Sequence, residues 1–154
     1  MKAEYVNAFY LATREVFQLM LDLDTEKGSL QVVEAIVSSK DASVLLGVTG
    51  DIRGTILFCF PKAMTLEMVK IMAGMQMDEI DSFVSSALGE VANIIGGNAL
   101  TQLSQKSYIC DIAPPQIFVG QYTSSSMNNE KALLLTLKSS IGEFDVIIYL
   151  KERA

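Results

Sequence analysis

Four residues between positions 86 and 97 have types and spacing suited to chemistry. Ser86, Glu90, Asn93 and Gly97 are spaced i, i+4, i+7 and i+11, which in an α-helix places them within roughly 60° of one another. The apolar residues of the same stretch fall on the opposite side: Ala87, Val91, Ile94, Ile95 and Ala99. A helix with this pattern is amphipathic, and we expect its polar face to point outward. On such a face a carboxylate can bind a cation, and a carboxamide can orient a water molecule.

Three glycines lie in the same helical stretch, although each costs about 1 kcal/mol of helix stability relative to alanine. They are Gly89, Gly96 and Gly97. Glycine inside a helix lets another element of the chain, or a partner, approach the backbone closely. Gly97 lies on the polar face, and the other two lie beside it. We expect Gly89 and Gly97 to contact a partner; the alternative is a solvated helix face with packing glycines.

Composition excludes several classes of function. The chain of 154 residues has a net charge of −6 and scattered basic residues, which argues against binding nucleic acid or an anionic membrane surface. It contains no histidine, which excludes Ser-His and Cys-His nucleophiles and histidine metal ligands. No apolar run reaches the ~18 residues of a membrane span, and charged residues interrupt the N-terminal stretch where a signal peptide is apolar. The sequence therefore predicts a cytoplasmic protein.

Hydropathy patterns predict the positions of helices and strands. Apolar residues at helical spacing predict helices over 3–21, 62–73 and 80–103. Apolar strand-like runs cover 30–38, 43–50, 53–60, 107–112, 116–122, 132–139 and 144–150. Gly50 and Asp51 predict a hairpin turn, so the glycine-rich segment 47–54 is interpreted as a hairpin and not as a phosphate-binding loop. A loop over 123–131 separates the later strands.

The order of these elements predicts the fold class. The hairpins over 43–60 and 132–150 resemble each other, and each half of the chain begins with a long helix, which indicates an internal pseudo-repeat. We expect an α/β (α+β) fold of two layers, in which long helices cover one mixed or antiparallel sheet. The length favours a single domain over 1–154. The run over 144–150 is expected to be an apolar edge strand that can pair with a second copy of the chain.

The spacing of Ser86, Glu90 and Asn93, followed by Gly97 and Asn98, resembles the signature of the CheC/CheX/FliY phosphatases of bacterial chemotaxis. The surrounding elements are most similar to CheX. The opening helix, the GVTGDIRGTILFCFP hairpin, the LGEVANIIGGNALTQLS helix and the closing GEFDVIIYL strand follow in the order that CheX-like proteins show. The resemblance covers nearly the whole chain and implies a CheC-like fold.

The resemblance also implies an activity. The protein would hydrolyse the aspartyl phosphate of a phosphorylated CheY-type response regulator, which ends chemotaxis or two-component signalling. Asn93 would hold the attacking water in line with phosphorus, Glu90 would pair with a lysine of the receiver domain, and Ser86 would support the interface. Phosphoryl transfer through a loose transition state needs mainly positioning and electrostatics, which an amide and a carboxylate supply without histidine. Similar proteins are typically homodimers, so a homodimer is expected.

No cofactor and no metal site of its own is expected, because the sequence shows no cluster of acidic residues that demands a metal. Mg²⁺ is expected on the partner receiver domain. Glu4 and Asn7 repeat part of the motif without an upstream Ser or Asp; they are interpreted as first-turn residues suited to the helix dipole and to capping. One active site per chain is therefore expected.

Two other functions remain open at this point. The first is a non-catalytic interaction or scaffold module of the same fold, which binds a receiver domain or a component of the motor switch. The second is a small-ligand sensor that uses a cavity between sheet and helices.

Overall fold

The described elements are one helix, four strands, two helices and five strands, in that order. The computed structural model describes residues 2–34, 36–38, 40–120, 122–124 and 131–153. In chain order the elements are α1 (Ala3–Leu21), β1 (Glu26–Val33), β2 (Ile36–Ser38), β3 (Ala42–Gly50), β4 (Ile52–Phe60), α2 (Lys62–Ala73), α3 (Ser82–Ser104), β5 (Cys110–Ile112), β6 (Gln116–Val119), β7 (Tyr122–Ser124), β8 (Ala132–Ser139) and β9 (Gly142–Glu152).

One large antiparallel sheet forms the centre of the fold. Its strands follow the order β1-β8-β9-β4-β3-β5, and β6 also pairs with β3. The hairpins β3–β4 and β8–β9 lie side by side because β4 pairs with β9. Strand β1, from the first half of the chain, pairs with β8, whereas β5 and β6, from the second half, pair with β3. The two halves therefore interlace in one sheet, whereas the internal pseudo-repeat stays a prediction.

The long helices cover one face of this sheet. Buried residues of α1 and α3, such as Phe9 and Ile95, join sheet residues in one apolar core. At its centre the ring of Phe144 stacks on Phe17, with centroids 4.7 Å apart, and on Phe60, at 5.2 Å. The packing of such rings fixes how the helices lie on the sheet. The opposite face of α3 is consequently left for other contacts.

Most of the predicted elements are confirmed. The bounds of α1 and α2 coincide with the predicted helices 3–21 and 62–73, and α3 begins two residues later and ends one residue later than predicted. Strands β3 and β4 form the hairpin predicted at Gly50 and Asp51. Among the described residues, no helix has both the length and the apolar character needed to cross a bilayer.

Three predicted strands are wrong in extent. The run 30–38 is divided between β1, which ends at Val33, and β2, which pairs with β7 in a separate two-stranded sheet. The run 116–122 is likewise divided between β6 and β7, and the run 107–112 contributes only the short strand β5. An apolar run indicates a tendency to form a strand but not where its partner begins and ends. The predicted loop over 123–131 is wrong at Thr123 and Ser124, which belong to β7, and its positions 125–130 lie outside the described residues.

The predicted edge strand is also wrong in position. The run 144–150 belongs to β9, which lies in the interior of the sheet between β8 and β4. Successive residues of a strand point to opposite faces, and Ile148 is buried in the main core whereas Ile147 is buried in a second apolar cluster with Leu57 and Cys59. Burial on both faces explains the continuous apolar run that the sequence shows. Among the described strands of the large sheet, β1 is an edge strand and pairs with β8.

Candidate functional site

Helix α3 begins where a side chain caps it. Asp81 is the N-cap residue, and its Oδ1 accepts a hydrogen bond from the backbone N–H of Val84 at 3.0 Å. From there α3 runs for 23 residues and buries one face, which includes Leu88, Val91 and Ile95. The cap and this apolar face fix the start and the rotation of the helix, and therefore the direction in which the remaining side chains point.

The outward face of α3 carries the four residues identified in the sequence. Ser86, Glu90, Asn93 and Gly97 are all exposed, which confirms that the polar face points away from the core. Within the ranges that the structure describes, the side chains of Ser86, Glu90 and Asn93 make no hydrogen bond or ion pair. Glu90 and Asn93 are three residues apart and therefore neighbours on the helix surface. A carboxylate and a carboxamide thus lie side by side and free to bind an external group.

The three glycines of α3 have different surroundings. A Cβ at Gly96 would lie 2.6 Å from Leu46 Cδ2, and one at Gly89 would lie 3.1 Å from Ile117 Cδ1. Both glycines are buried, so close packing inside the protein accounts for them. Gly97 is exposed, and a Cβ there would have no atom within 4 Å. Internal packing gives no reason for glycine at position 97, whereas for Gly89 partner contact remains a prediction beside its packing role.

An open groove runs along the polar face. It has a volume of about 610 Å³ and is lined by Ser86, Gly89, Glu90, Asn93, Ile94, Ile112, Pro114, Pro115 and Ile117. Ile94 was expected on the buried side, but its side chain is 39% exposed, because it lies on the flank between the two faces. Sequence reasoning treated Pro114 and Pro115 only as a break between strands and missed that they border this face.

The partial motif in α1 has different contacts. Glu4 lies in the first turn of α1, as expected, but its Oε1 accepts a hydrogen bond from the hydroxyl of Tyr108 at 2.7 Å. The N-cap residue is Lys2, and no side chain caps this helix. The expected capping role is therefore wrong. Glu4 instead connects α1 to the segment that follows α3, and its carboxylate is already engaged.

Tyr5 lies at the same end of α1 and is buried. Its ring packs edge-on against Tyr108, with centroids 5.3 Å apart, and its hydroxyl has no hydrogen-bond partner among the described residues. Burial is the main cause that raises the pKa of Tyr5 to about 12 from its ordinary value of 10.0. A hydrogen bond to Tyr108 and an ion pair with Glu152 raise the pKa of Lys2.

The described residues contain no candidate metal site, because no three Cys, Asp or Glu side chains among them lie close enough together to hold an ion. Near Asn93 the groove offers one carboxylate, one carboxamide and one hydroxyl. This set can bind a cation and orient a water molecule.

The family model for the chemotaxis phosphatase CheX matches residues 42–138, which is more than half of the chain and includes β3, β4 and α3. The chain belongs to this family. The match confirms the resemblance to CheX that the sequence shows, and it identifies the protein as a phosphatase of the chemotaxis system.

CheX proteins from several bacteria are similar to the chain. The CheY-P phosphatase CheX of Thermotoga maritima is 28% identical over 122 residues, which are 79% of each chain. The structure of a chemotaxis protein CheX from Desulfovibrio desulfuricans is 30% identical, with a TM-score of 0.86, over 96% of this chain and 99% of that one. A CheX–CheY–BeF3–Mg²⁺ complex from Borrelia burgdorferi is 26% identical, with a TM-score of 0.78, over 96% of this chain and 98% of that one.

The fold is similar to that of a known CheC-like protein. A CheC-like protein from Shewanella sp. PV-4 superposes with a TM-score of 0.89 at 24% identity, over 98% of this chain and 99% of that one. The predicted α+β class with helices over one sheet is therefore confirmed, and the sheet is antiparallel in the described strands.

Proposed function

We propose that this CheX-family protein hydrolyses the aspartyl phosphate of a phosphorylated CheY-type receiver domain, with Glu90 and Asn93 entering the active site of the receiver. The observation that carries this proposal is the exposed and unpaired Glu90–Asn93 pair on α3. Two relatives support the choice of substrate: the Thermotoga maritima protein is a CheY-P phosphatase, and the Borrelia burgdorferi CheX forms a complex with CheY.

Asn93 is the residue that positions water in this mechanism. Its side-chain carbonyl accepts a hydrogen bond from the water, and its NH₂ group donates a hydrogen bond to an oxygen of the phosphoryl group. A loose phosphoryl-transfer transition state gains mainly from such alignment. Because an amide does not titrate in the physiological range, this role needs no shifted pKa. The water attacks phosphorus in line with the aspartyl oxygen, which departs as the carboxylate of the receiver.

Glu90 contributes charge at the same site. Its carboxylate is within reach of a cation that lies beside Asn93, and we assign it an ion pair with a lysine of the receiver. Ser86 lies one helical turn before Glu90 and supports the rim of the contact with its hydroxyl. Gly97 leaves the helix surface bare one turn after Asn93, so that the partner's backbone approaches closely.

The divalent cation belongs to the receiver in this proposal, and the chain carries no cofactor of its own. The Borrelia burgdorferi complex contains Mg²⁺ and BeF3 together with CheY. Mg²⁺ neutralises charge on the phosphoryl group, while Asn93 and Glu90 supply alignment and an ion pair. A partner of this kind places the protein in the cytoplasm, where receiver domains are phosphorylated.

We also propose that the chain forms a homodimer through β1. This strand ends the order of the large sheet, and its Leu30 and Val32 are 55% and 60% exposed. An edge strand with exposed apolar side chains is able to pair with another strand. Pairing with β1 of a second copy would form an isologous contact.

The proposed function is tested by measuring the release of phosphate from Mg²⁺-loaded, phosphorylated CheY-type receivers of the same genome. Asn93→Ala should lower turnover about 100-fold or more while the affinity for a beryllofluoride-activated receiver is kept, because the lost contact acts in the transition state. Glu90→Gln should weaken both turnover and affinity, because it removes one partner of an ion pair.

Matched controls come from α1, which carries exposed residues of the same types. Asn7→Ala and Glu15→Gln change an asparagine and a glutamate at exposed helical positions and should leave both turnover and affinity unchanged. Receiver binding without any acceleration of phosphate release would contradict the proposal and would indicate a docking module instead.

A further inference from the structure

Exposed apolar residues border the polar face of α3 on both sides. On one flank, Phe83 and Ile94 are 45% and 39% exposed, and their spacing places both beside Glu90 on the helix surface. On the other flank, Gly89 packs against Pro115 and Ile117, and the neighbouring Pro114 is exposed. Glu90 and Asn93 thus lie in a strip of polar surface between two apolar flanks.

The groove along this strip has the properties of a binding surface. Its walls are apolar, and its polar side chains are grouped on α3: Ser86, Glu90 and Asn93. Pro114 and Pro115 fix their own backbone φ angles, so this wall is already ordered before a partner arrives. Binding to a preformed wall avoids the entropic cost of ordering a loop.

The charge of the groove indicates what kind of surface it accepts. Glu90 is the only ionisable residue among those that line it. A partner that covers the groove therefore presents apolar side chains around a single cation. A surface of that composition matches the receiver that Glu90 and Asn93 contact, because the cation of the receiver would lie against Glu90 while the surrounding surface covers both flanks.

We propose that Phe83 and Ile94 on one flank, and Pro114 on the other, form the docking surface for the receiver and determine which receiver is accepted. This proposal rests on the proposed function and separates two roles within it. The flanks set the affinity, because their contacts are equally present before and during hydrolysis. Asn93 sets the rate of the chemical step. Receivers that carry an acidic side chain opposite Ile94 are rejected, since that charge would lose water without gaining a partner and would lie close to the Glu90 carboxylate.

The test is a steady-state comparison of Ile94→Ser with Ile71→Ser, using phosphorylated receivers of the same genome. Ile71 is the matched control, because it is also a 39% exposed isoleucine on a helix, in α2. Ile94→Ser should raise KM about tenfold with kcat unchanged, because the lost contact binds the substrate and the transition state equally. Ile71→Ser should leave both constants unchanged. A fall in kcat with KM unchanged in Ile94→Ser, or equal effects of the two variants, would overturn the proposal.

A binding measurement separates this proposal from the proposed function. Titration of a beryllofluoride-activated receiver requires no hydrolysis, so it reports on the docking surface even if phosphate release is absent. Ile94→Ser and Pro114→Ser should each weaken this binding about tenfold, and circular dichroism should show an unchanged fold for both variants. Unchanged affinity in two folded variants would exclude the flanks as the docking surface, whatever the catalytic activity of Asn93.

Discussion

Asn93 and Glu90 are available to an external partner because no residue in the described part of the chain engages their side chains. Both are exposed on α3, and within the described ranges neither side chain has a partner. By contrast, Glu4 of the partial motif in α1 is held by the hydroxyl of Tyr108. The carboxylate of Glu90 is therefore free to bind a partner, whereas that of Glu4 is not. This difference supports one active site per chain, which stays a prediction for the Asn7→Ala control to test.

Gly97 allows stability and activity to be separated. Because no atom lies within 4 Å of a Cβ at position 97, Gly97→Ala should raise the free energy of unfolding by about 0.5–1 kcal/mol through helix propensity. The same methyl group should lower kcat/KM for the phosphorylated receiver, because it lies on the face that the partner covers. Urea unfolding and phosphate release measure the two effects.

Gly96→Ala is the matched control for this substitution. Its methyl group would displace Leu46 and Ile112 inside the protein, so repacking should offset the gain in helix propensity. The polar side chains of α3 are unchanged, so kcat of the folded variant should stay near the native value, although KM can change because Ile112 lines the groove. A more stable Gly97→Ala protein with full activity would contradict a close approach at this position.

Tyr5 should make stability depend on alkaline pH. Its pKa is raised to about 12 in the folded protein from 10.0, so between these values the unfolded chain loses a proton that the folded chain retains. The free energy of unfolding should therefore fall as the pH rises above 10. Tyr5→Phe should remove this part of the decline while keeping the ring against Tyr108. The test is to measure the urea midpoint of unfolding for the native protein and for Tyr5→Phe between pH 9 and about 11.5. The same decline of the midpoint with pH in both proteins would contradict this role of Tyr5.

Helix α3 combines the core and the functional face in one element, and its N-cap holds both in place. The Asp81 carboxylate accepts the N–H of Val84 at 3.0 Å. Asp81→Ala should therefore lower the free energy of unfolding by about 1 kcal/mol, as measured in urea. Asp78→Ala changes an exposed aspartate in the segment before α3 and should have little effect. Equal losses in the two variants would indicate a general charge effect instead of a cap.

The helices were more predictable than the strands, for a physical reason. Helical period and burial are local properties, so the bounds of α1 and α2 and the outward face of α3 follow from the sequence. Strand pairing is not local: the apolar run in β9 indicates burial, but only the sheet order shows that β8 and β4 cover both of its edges. Local pattern also did not reveal that Pro114 and Pro115 pack beside Gly89.

The pairing of strands from the two halves of the chain bears on how the whole molecule unfolds. Because β1 pairs with β8, and β5 and β6 pair with β3, neither half completes its sheet without the other. We therefore retain the proposal of a single domain, whose halves should unfold together in one transition. The halves place α3 on one side of the sheet with its polar face outward, and they place β1 at an edge.

Dimer formation through β1 predicts a change of mass in solution. Val32→Lys should convert the dimer to a monomer, because a lysine on an edge strand opposes strand pairing. Val119→Lys is the control, since Val119 is a similarly exposed valine in β6, which pairs with β3 at the other side of the sheet. Analytical ultracentrifugation should show a monomer for Val32→Lys and a dimer for Val119→Lys. A dimer that survives Val32→Lys but not Val119→Lys would place the interface at the opposite edge.

The most direct measurement is the lifetime of the aspartyl phosphate on a Mg²⁺-loaded CheY-type receiver, followed in single turnover with the phosphatase in excess. With the native protein the lifetime should shorten sharply for at least one receiver of the same genome. With Asn93→Ala, at concentrations that saturate binding, the rate of phosphate release that the phosphatase adds to the unassisted rate should fall about 100-fold or more, so the lifetime should return toward the unassisted value. Full acceleration by Asn93→Ala would contradict the mechanism proposed for this protein.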